Sequence, residues 1–571
     1  MMARVAKAYE SARRGYQRSN HTAIYIVAMA LLSFVAILNR KKLYSTGAST
    51  IRSFVSKRSE SRTIKALTWN IAAINNNPFE YWITNEDPSY NNAMKLVSSF
   101  IETPGENDKR MSEIFSDLMY DELEDMMKRS GFNEAHVASA RRLWNDDYKN
   151  RKIVSEFIKD SKLGKKRLAS MPDRVTNTIV TSSGVTFRPT VINCYDGDLR
   201  TTAAWWDQWK KFMFVEKISI KVGEVEKSVI PVSLLQPIKS SKYPAITKEE
   251  ETISLPLQTI CIALFDAILV HMMNTVSENA WQKLRSQICT KLNRRKNQRT
   301  IEILYNQYSD YDVQFLQEVG KSFNNAVMDT KLSSIYDVLT PSRMDSERDQ
   351  NSFILLRKGL FVDIHEVTSD ILEELKRTAK DAPVMDGDLF AITATNSRTK
   401  SKYILASFHG DTNGLATVPV VTATSSFASR KPDYRLLFGM DANTYSKPES
   451  DQQGVAAFAD FYRAKNLNTC YGQHPSPTNF TTFHARTHLQ PQLNKAISIE
   501  NKDSKGDKNP KDFIMFFSTD FSVLSTKKDN TGKGIYIEGM VFPTLQFPSD
   551  HGITSTILME ESTSLRPRKI H

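Results

Sequence analysis

Four short apolar segments along this chain each end at a polar residue. The segments are only four to six residues long and rich in β-branched and aromatic types, which predicts buried strands at residues 64–69, 313–316, 403–408 and 435–439. A polar side chain at the end of a buried strand is held rigidly where it faces a substrate. The pattern therefore predicts one shared site at the ends of these strands.

The polar residues occur as short motifs in a fixed order. They are Asn70, Gln317-Glu318, His409, Asp441-Ala442-Asn443 and Ser549-Asp550-His551, with Gln350-Asn351-Ser352 and Lys511-Asp512-Phe513-Ile514 as further matches. Each motif alone is weak, because Asp and Asn also favour ordinary turns. The ordered series carries the information.

This series resembles the endonuclease/exonuclease/phosphatase superfamily, also called DNase I-like, over residues 62–81 and about 301–559. The resemblance implies a four-layer α/β sandwich, with two mixed sheets packed face to face and helices outside. It also implies hydrolysis of a phosphate ester by metal-assisted, in-line attack of water. Met440 before Asp441 and Gly410 after His409 depart from the commoner family pattern.

The same resemblance assigns the metal to Asn70, Glu318 and Asp550. Mg²⁺ is expected, with Mn²⁺ as the alternative, because hard cations are held by carboxylates, waters and substrate phosphate. Glu318 would be the carboxylate ligand, and Asn70 would supply a neutral oxygen or a hydrogen bond. Asp550 would lie beside the metal or beside the neighbouring histidine.

Five residues are assigned to the chemistry by resemblance. Asp441 would position or deprotonate the attacking water, and Asn443 would donate a hydrogen bond to the transition-state oxyanion. His551 would contact the scissile phosphate, while Asp512 would orient the His551 ring and raise its pKa. His409 would lie near the leaving group, with a purely structural role as the alternative.

The chain is too long for one compact domain of this kind. Asn70 and Gln317 are about 250 residues apart, which predicts a mixed, mostly helical insertion at residues 85–299. The catalytic domain then comprises residues 62–84 and 300–562, with a tail at 563–571. The insertion leaves the loop after the first strand, so it is placed to cover the site and control substrate choice.

The first 61 residues have their own organisation. A basic tail at 1–21 precedes an uncharged, mostly apolar run at 22–38 and a Ser/Thr/Arg-rich linker at 39–61. The run is at the short end for a ~30 Å bilayer core and lacks a good cleavage site, so an uncleaved single-pass transmembrane helix is predicted. Basic flanks on both sides leave its orientation open. An endomembrane is favoured, and the Arg-rich tail leaves a mitochondrial location open.

A second apolar run, at residues 257–273, contains Asp266. A carboxylate at mid-membrane is costly without a partner, so a buried helix is predicted in place of a second span. Trp205, Trp206 and Trp209 are expected in the core, with a stacking or lipid-contacting surface as the alternative.

Charge and cysteine content bear on the class of substrate and on the cellular compartment. Residues 1–65 carry thirteen Lys and Arg against two acidic residues, so nearly all of the net charge of +12 lies there. The neutral remainder argues weakly against long nucleic acid as the substrate. The four cysteines are widely separated, which excludes a zinc module by spacing and gives no sign of a disulfide framework. A reducing compartment is mildly favoured.

The predicted function is a membrane-anchored, Mg²⁺-dependent phosphoesterase or phosphodiesterase. Its substrate would be a nucleic acid, a nucleotide or a phospholipid headgroup. Residues 477–482 resemble nocturnin-like deadenylases, whereas residues 511–514 match the phosphoinositide-phosphatase pattern only in part. The alternative is a catalytically inactive, membrane-tethered binding module, although every expected catalytic position is filled.

Overall fold

The four predicted strands form the centre of two β-sheets. The structure is a computed structural model and describes residues 62–484, 489 and 506–562, except residues 224, 279, 346 and 347. The predicted N-terminal tail, transmembrane helix and linker lie outside the described residues, as does the predicted C-terminal tail.

The strands of the described residues alternate with helices along most of the chain. The strands are β1 (Thr63–Asn70), β2 (Thr178–Thr181), β3 (Gly184–Phe187), β4 (Ile218–Val222), β5 (Val225–Val229), β6 (Val313–Val319), β7 (Tyr336–Leu339), β8 (Asn351–Arg357), β9 (Phe361–Glu366), β10 (Leu389–Asn396), β11 (Lys402–His409), β12 (Tyr434–Asp441), β13 (Leu467–Thr469), β14 (Asp512–Phe517), β15 (Phe521–Asp529) and β16 (Ile553–Glu560).

Most of the helices lie between β1 and β6. The α-helices are α1 (Pro88–Glu102), α2 (Met111–Ile114), α3 (Asp117–Arg129), α4 (Glu134–Asp146), α5 (Ser161–Lys166), α6 (Ser170–Thr176), α7 (Thr202–Phe214), α8 (Lys248–Thr252), α9 (Ser254–Ser277), α10 (Ala280–Cys289), α11 (Lys296–Tyr308), α12 (Lys321–Met328), α13 (Lys331–Ile335), α14 (Thr368–Thr378), α15 (Thr417–Ser429) and α16 (Val455–Ala464). Short 3₁₀ turns occur at Gly105–Asn107, Tyr148–Asn150 and Pro231–Leu234, and π-helical turns at Ile153–Ile158 and Thr290–Arg294.

Strand order places the predicted site residues beside one another. The first sheet has the order β15-β16-β1-β6-β8-β7 and the second β13-β14-β12-β11-β10-β9. Parallel pairing aligns Asn70 with Gln317 in the first sheet and His409 with Asp441 in the second. Antiparallel pairing then aligns Asp441 with Asp512. The four strands predicted from the apolar pattern are therefore confirmed, two in each sheet.

The two sheets pack face to face through an apolar layer. Ile64 and Phe315 of the first sheet meet Leu405, Leu437 and Ile514 of the second in one buried cluster. The other face of the second sheet is covered by α14, α15 and α16, and the other face of the first sheet by α11, α12 and the segment between β1 and β6. The predicted mixed α/β architecture is confirmed.

Helix α9 lies at the centre of the segment predicted as an insertion. It is long and apolar enough to cross a membrane, and no other helix of the described residues is, but 89% of its most apolar stretch is buried. The predicted buried helix is therefore confirmed. Trp205, Trp206 and Trp209 of α7 are at most 3% exposed, which confirms that they belong to the core.

A buried ion pair explains how α9 tolerates a carboxylate. Arg188 donates to Asp266 from Nε (2.7 Å) and Nη2 (3.2 Å), and both side chains are fully buried. Thr190 and Trp209 donate to the same carboxylate at 2.7 and 2.9 Å. A buried charge needs a charged partner and full hydrogen bonding, and Asp266 has both.

Arg188→Met should destabilise the protein by about 3–5 kcal/mol, because it leaves the Asp266 carboxylate buried and uncompensated. Adding Asp266→Leu to that variant should restore part of the loss. Urea unfolding followed by tryptophan fluorescence measures both. Arg200→Met is the matched control, since its pair with Asp198 is exposed and its loss should leave the unfolding midpoint nearly unchanged. An unchanged midpoint in Arg188→Met would show that this ion pair does not hold α9.

The structure corrects the expectation of no disulfide, because Cys194 and Cys289 are bonded to each other. Their Cα atoms are 5.5 Å apart although 95 residues separate them in the sequence. The spacing along the chain gave no indication because the packing of the loop after β3 against α10 creates the pair. Cys261 and Cys470 are free and buried, and the reason for favouring a reducing compartment is weakened accordingly.

The disulfide predicts a thiol count. Unfolded, non-reduced protein should present two thiols to a maleimide reagent, and four only after reduction. Cys289→Ser should lower the free energy of unfolding by on the order of 2–4 kcal/mol, because a closed loop of this length restricts the unfolded chain. Denaturant unfolding with and without reductant measures this, and reductant should abolish the difference between variant and wild type. Four thiols without reduction would refute the bond.

Candidate active site at the strand ends

Asn70 lies at the centre of the converging strand ends. Its Nδ2 donates to Glu318 Oε1 and to Asp441 Oδ2, each at 2.9 Å, and the residue is fully buried. Its Oδ1 accepts from the amide of Ala72 at 2.8 Å. Of the two predicted roles of Asn70, this geometry matches the hydrogen bond, whereas an oxygen ligand would require the amide to turn over.

Glu318 reaches the site through a local irregularity in its strand. The register between β6 and β8 shifts between Leu316 and Val319, and Glu318 itself has a φ of +53°. A left-handed residue at a bulge re-aims its side chain, and such strain is concentrated at functional sites. Glu318 Oε2 accepts from the Ala73 amide at 2.7 Å and from Gln350 Nε2 at 3.3 Å, so the carboxylate is held in the cleft.

His409 joins the two carboxylates that Asn70 bridges. Its Nε2 is 3.3 Å from Glu318 Oε1 and 3.7 Å from Asp441 Oδ2. Asn443 lies next to this group. Its backbone N–H donates to Asp441 Oδ1 at 2.9 Å, and its side-chain Nδ2 donates to the Gly410 carbonyl. Asn443 has a φ of +47°, a conformation that Asn tolerates better than most residues.

His551 and Asp512 form a second, buried pair beside Asp441. His551 Nδ1 lies 3.0 Å from Asp512 Oδ2, and Nε2 lies 3.6 Å from Asp441 Oδ2. Burial alone would lower the pKa of His551, but the Asp512 and Asp441 carboxylates outweigh it and raise that pKa to about 10. The His551 ring is therefore protonated at neutral pH.

The loop that carries His551 is tied to the first strand. Ser549 Oγ donates to the Asn70 carbonyl at 2.7 Å and accepts from the His551 amide at 2.9 Å. Trp69 Nε1 donates to the His551 carbonyl at 2.9 Å. These bonds fix the His551 imidazole relative to the carboxylates. They join the first strand to a loop near the other end of the described chain.

Asp550 lies next to His551 in the chain and also faces a second histidine, His484. Its Oδ2 is 3.8 Å from Nε2 of His484. Burial would raise the pKa of Asp550, but His551, His484 and Lys296 together lower it, so the carboxylate is ionised. Asp550 lines the same cleft as Glu318 and Asp441, yet among the described residues it belongs to neither of the two groups close enough to share one ion.

Two overlapping groups have the composition of a cation site. The ligand atoms of Glu318, His409 and Asp441 lie within 4.8 Å of one another, and so do those of Asp441, Asp512 and His551. In the second group His551 is protonated and Asp512 is its partner, which leaves the first group available. Two carboxylates with an imidazole could hold a divalent cation.

The site opens into a cleft of about 720 Å³. Several polar residues of the cleft were not predicted from the sequence, namely Lys296, Tyr445, His484, Asp507 and Asn509. Lys296 belongs to a basic run at 291–299 that resembles any solvated patch, and His484 lies two residues after the segment at 477–482. Residues between β1 and β6 form the apolar wall, which includes Ile288, Leu292 and the disulfide.

Fold and site together define a two-sheet α/β protein with a carboxylate–histidine cluster at its strand ends. Residues 108–286, within the predicted insertion, match a family described as "Domain of unknown function (DUF8234)". No curated protein matches the sequence.

Solved structures resemble about half of the chain. They include an endonuclease/exonuclease/phosphatase from Bacteroides vulgatus (12% identity, TM-score 0.32, covering 47% of this chain and 92% of that one). The catalytic domain of human Nocturnin with bound sulfate matches similarly (12%, 0.32, 48% and 88%), as does Danio rerio TDP2 complexed with a single-strand DNA product (12%, 0.30, 46% and 91%).

Proposed function

We propose that the protein is a metal-dependent phosphoesterase or phosphodiesterase, held at a membrane by its N-terminal segment. The observation that carries this proposal is the bridged pair of carboxylates, Glu318 and Asp441, beside the protonated His551. Anionic ligands for a cation next to a fixed cationic acid are what hydrolysis of a phosphate ester requires.

Glu318, with Asp441 and His409 alongside, would hold Mg²⁺, with Mn²⁺ as the alternative. When bound, such a cation neutralises charge on the phosphoryl oxygens. The chain's own groups supply the rest. Asp441 orients the attacking water and accepts its proton, while the Asn70 amide keeps the Asp441 carboxylate in place. Asn443 lies beside Asp441, where its amide group can donate to the oxyanion.

His551 acts as a cation and proton donor in this proposal. Its pKa of about 10 keeps Nε2 protonated, and Asp512 holds the ring by a hydrogen bond at the other nitrogen, Nδ1. A protonated imidazole stabilises charge that develops on a phosphoryl or leaving oxygen. A role as general base would instead require a ring that is neutral at the working pH.

The charge of the cleft bears on the substrate. Among the described lining residues the lysines are Lys296 and Lys511, and Lys511 is paired with Asp507 at 2.7 Å. The protonated His551 is a third cation, and five carboxylates line the same cleft: Glu80, Glu318, Asp441, Asp507 and Asp550. A long nucleic acid requires several free cations along its backbone. The balance favours a nucleotide or a phospholipid headgroup over long RNA or DNA.

Two substitutions test the assigned roles, with bis-p-nitrophenyl phosphate as substrate. Glu318→Gln should raise the Mg²⁺ concentration needed for half-maximal activity, because the site loses a ligand charge. Part of its activity should return at high Mg²⁺. His551→Ala should lower turnover by on the order of 10²–10³ with an unchanged midpoint, because it loses a transition-state contact. Steady-state kinetics across a Mg²⁺ titration measures both.

Equal metal responses in the two variants would mean that these roles are exchanged or absent. Glu302→Gln is a suitable control, since that acid lies on α11 away from the cleft lining. Wild-type protein that binds Mg²⁺ but hydrolyses none of RNA, DNA, phosphoinositides, sphingomyelin, nucleotide cofactors and the nitrophenyl ester would favour the inactive binding module.

The membrane proposal has a separate test. Full-length protein should stay in the membrane pellet through carbonate extraction, because residues 22–38 are uncharged and basic residues flank them. Deleting residues 1–61 should release a soluble and active enzyme, since β1 begins at Thr63. Full-length protein in the carbonate supernatant would refute the anchor. The mature N-terminal sequence would distinguish an uncleaved anchor from a processed mitochondrial presequence.

A further inference from the structure

Lys296 is a cleft residue that the proposed mechanism does not use. It is the first residue of α11, one residue after the π-helical turn Thr290–Arg294, and it lies near the end of the predicted insertion at residues 85–299. Its side chain is 3% exposed and lines the cleft together with Glu318, Asp441 and His551. The wall opposite the strand ends therefore contributes a cation as well as apolar surface.

The contacts of the Lys296 ammonium leave most of its hydrogen-bonding capacity unused. Nζ donates to the Ala73 carbonyl oxygen at 2.8 Å. Among the described residues no carboxylate oxygen lies within 4.0 Å of Nζ, and no second hydrogen bond is formed. An ammonium carries three N–H donors, so two of them have no acceptor among the described residues.

The position of Lys296 is unfavourable for stability on two counts. Burial penalises a charged group, and a cation in the first turn of a helix opposes the helix dipole. Burial lowers the pKa of Lys296 to about 8, and the more distant Asp550 and Glu318 carboxylates only partly oppose that effect. A buried cation without a close counter-charge is expected where an anionic ligand completes the site.

We propose that Lys296 is a phosphate-binding residue, and that its ammonium donates to a non-bridging oxygen of the scissile phosphoryl group. The segment between β1 and β6 then supplies a ligand contact to the active site in addition to covering it. The inference rests on the proposed function, since it concerns the same cleft. The ligand class is a phosphate monoester or diester, whose phosphoryl oxygens carry the negative charge that the ammonium lacks nearby.

Two other roles for Lys296 have to be separated from this one. Through the Ala73 carbonyl it could hold the loop whose amide donates to Glu318, which is a structural role. Alternatively it could be only a counter-ion for Glu318 and Asp550. The structural role predicts a loss of stability when the ammonium is removed. The counter-ion role predicts tighter Mg²⁺ binding with unchanged turnover at saturating Mg²⁺.

Lys296→Met tests the proposal, because methionine keeps the apolar stem and removes the charge. With bis-p-nitrophenyl phosphate at saturating Mg²⁺, kcat/KM should fall by about 10²-fold, the loss typical of one preorganised contact to the reacting group. The unfolding midpoint should stay unchanged or rise, because a buried charge is removed. Lys291→Met, an exposed lysine five residues earlier, controls for charge and should change kcat/KM by less than twofold.

Binding of inorganic phosphate gives a readout that does not depend on turnover. Full-length wild-type protein in EDTA should show a rise in unfolding temperature with millimolar phosphate, whereas Lys296→Met should not. Lys291→Met should respond like wild type. If wild type hydrolyses no ester yet shows this difference, the proposed function fails and the phosphate contact stands.

Three results would overturn the inference while leaving the proposed function intact. They are activity of Lys296→Met within twofold of wild type, equal stabilisation of both proteins by phosphate, and a loss of activity that accompanies a lower unfolding midpoint and a changed Mg²⁺ midpoint. Lys296→Arg adds a check for the last case, because it keeps a cation of different shape. If it restores neither folding nor kcat/KM relative to Lys296→Met, Lys296 has a structural role.

Discussion

The amide of Asn70 donates one hydrogen bond to a carboxylate from each sheet, and the rest of the site depends on this bridge. Glu318 belongs to the first sheet and Asp441 to the second, so two like charges meet where the sheets meet. Gln317 adds a bond of the same kind, because its Nε2 donates to Ser407 across the apolar layer. The carboxylates of Glu318 and Asp441 therefore come together only when the two sheets pack against each other.

Much of this arrangement could be predicted from the sequence, because it follows local rules. A short apolar run ending in a polar residue identifies a core strand, and Asn70, Glu318, His409 and Asp441 were predicted in this way. Lys296 and the disulfide follow no such rule. Whether a lysine in a helical segment is buried depends on the surfaces that pack around it, and two cysteines 95 residues apart are joined only by tertiary structure.

Asp550 shows a limit of a different kind. Its neighbour His551 has the predicted partner, Asp512, because the strand pairing that aligns Asp441 with Asp512 fixes where the imidazole must lie. The Asp550 side chain points elsewhere, towards His484, which no strand pattern connects to it. The contact between Asp550 and His484 could not be predicted from the sequence, because both residues lie outside the strands and only the folded chain brings them together.

The placement of the segment between β1 and β6 has a consequence for the order of folding. Both neighbours of β1 in its sheet, β6 and β16, are synthesised more than 240 residues after it begins. Contacts this distant in sequence form slowly. Folding of the intervening segment brings its two ends together, and Asn293 Nδ2 then donates to Asn76 Oδ1 at 2.8 Å. The distance in space between β1 and β6 is reduced in this way. A chain in which this segment misfolds would therefore lack its active site even with every catalytic residue unchanged.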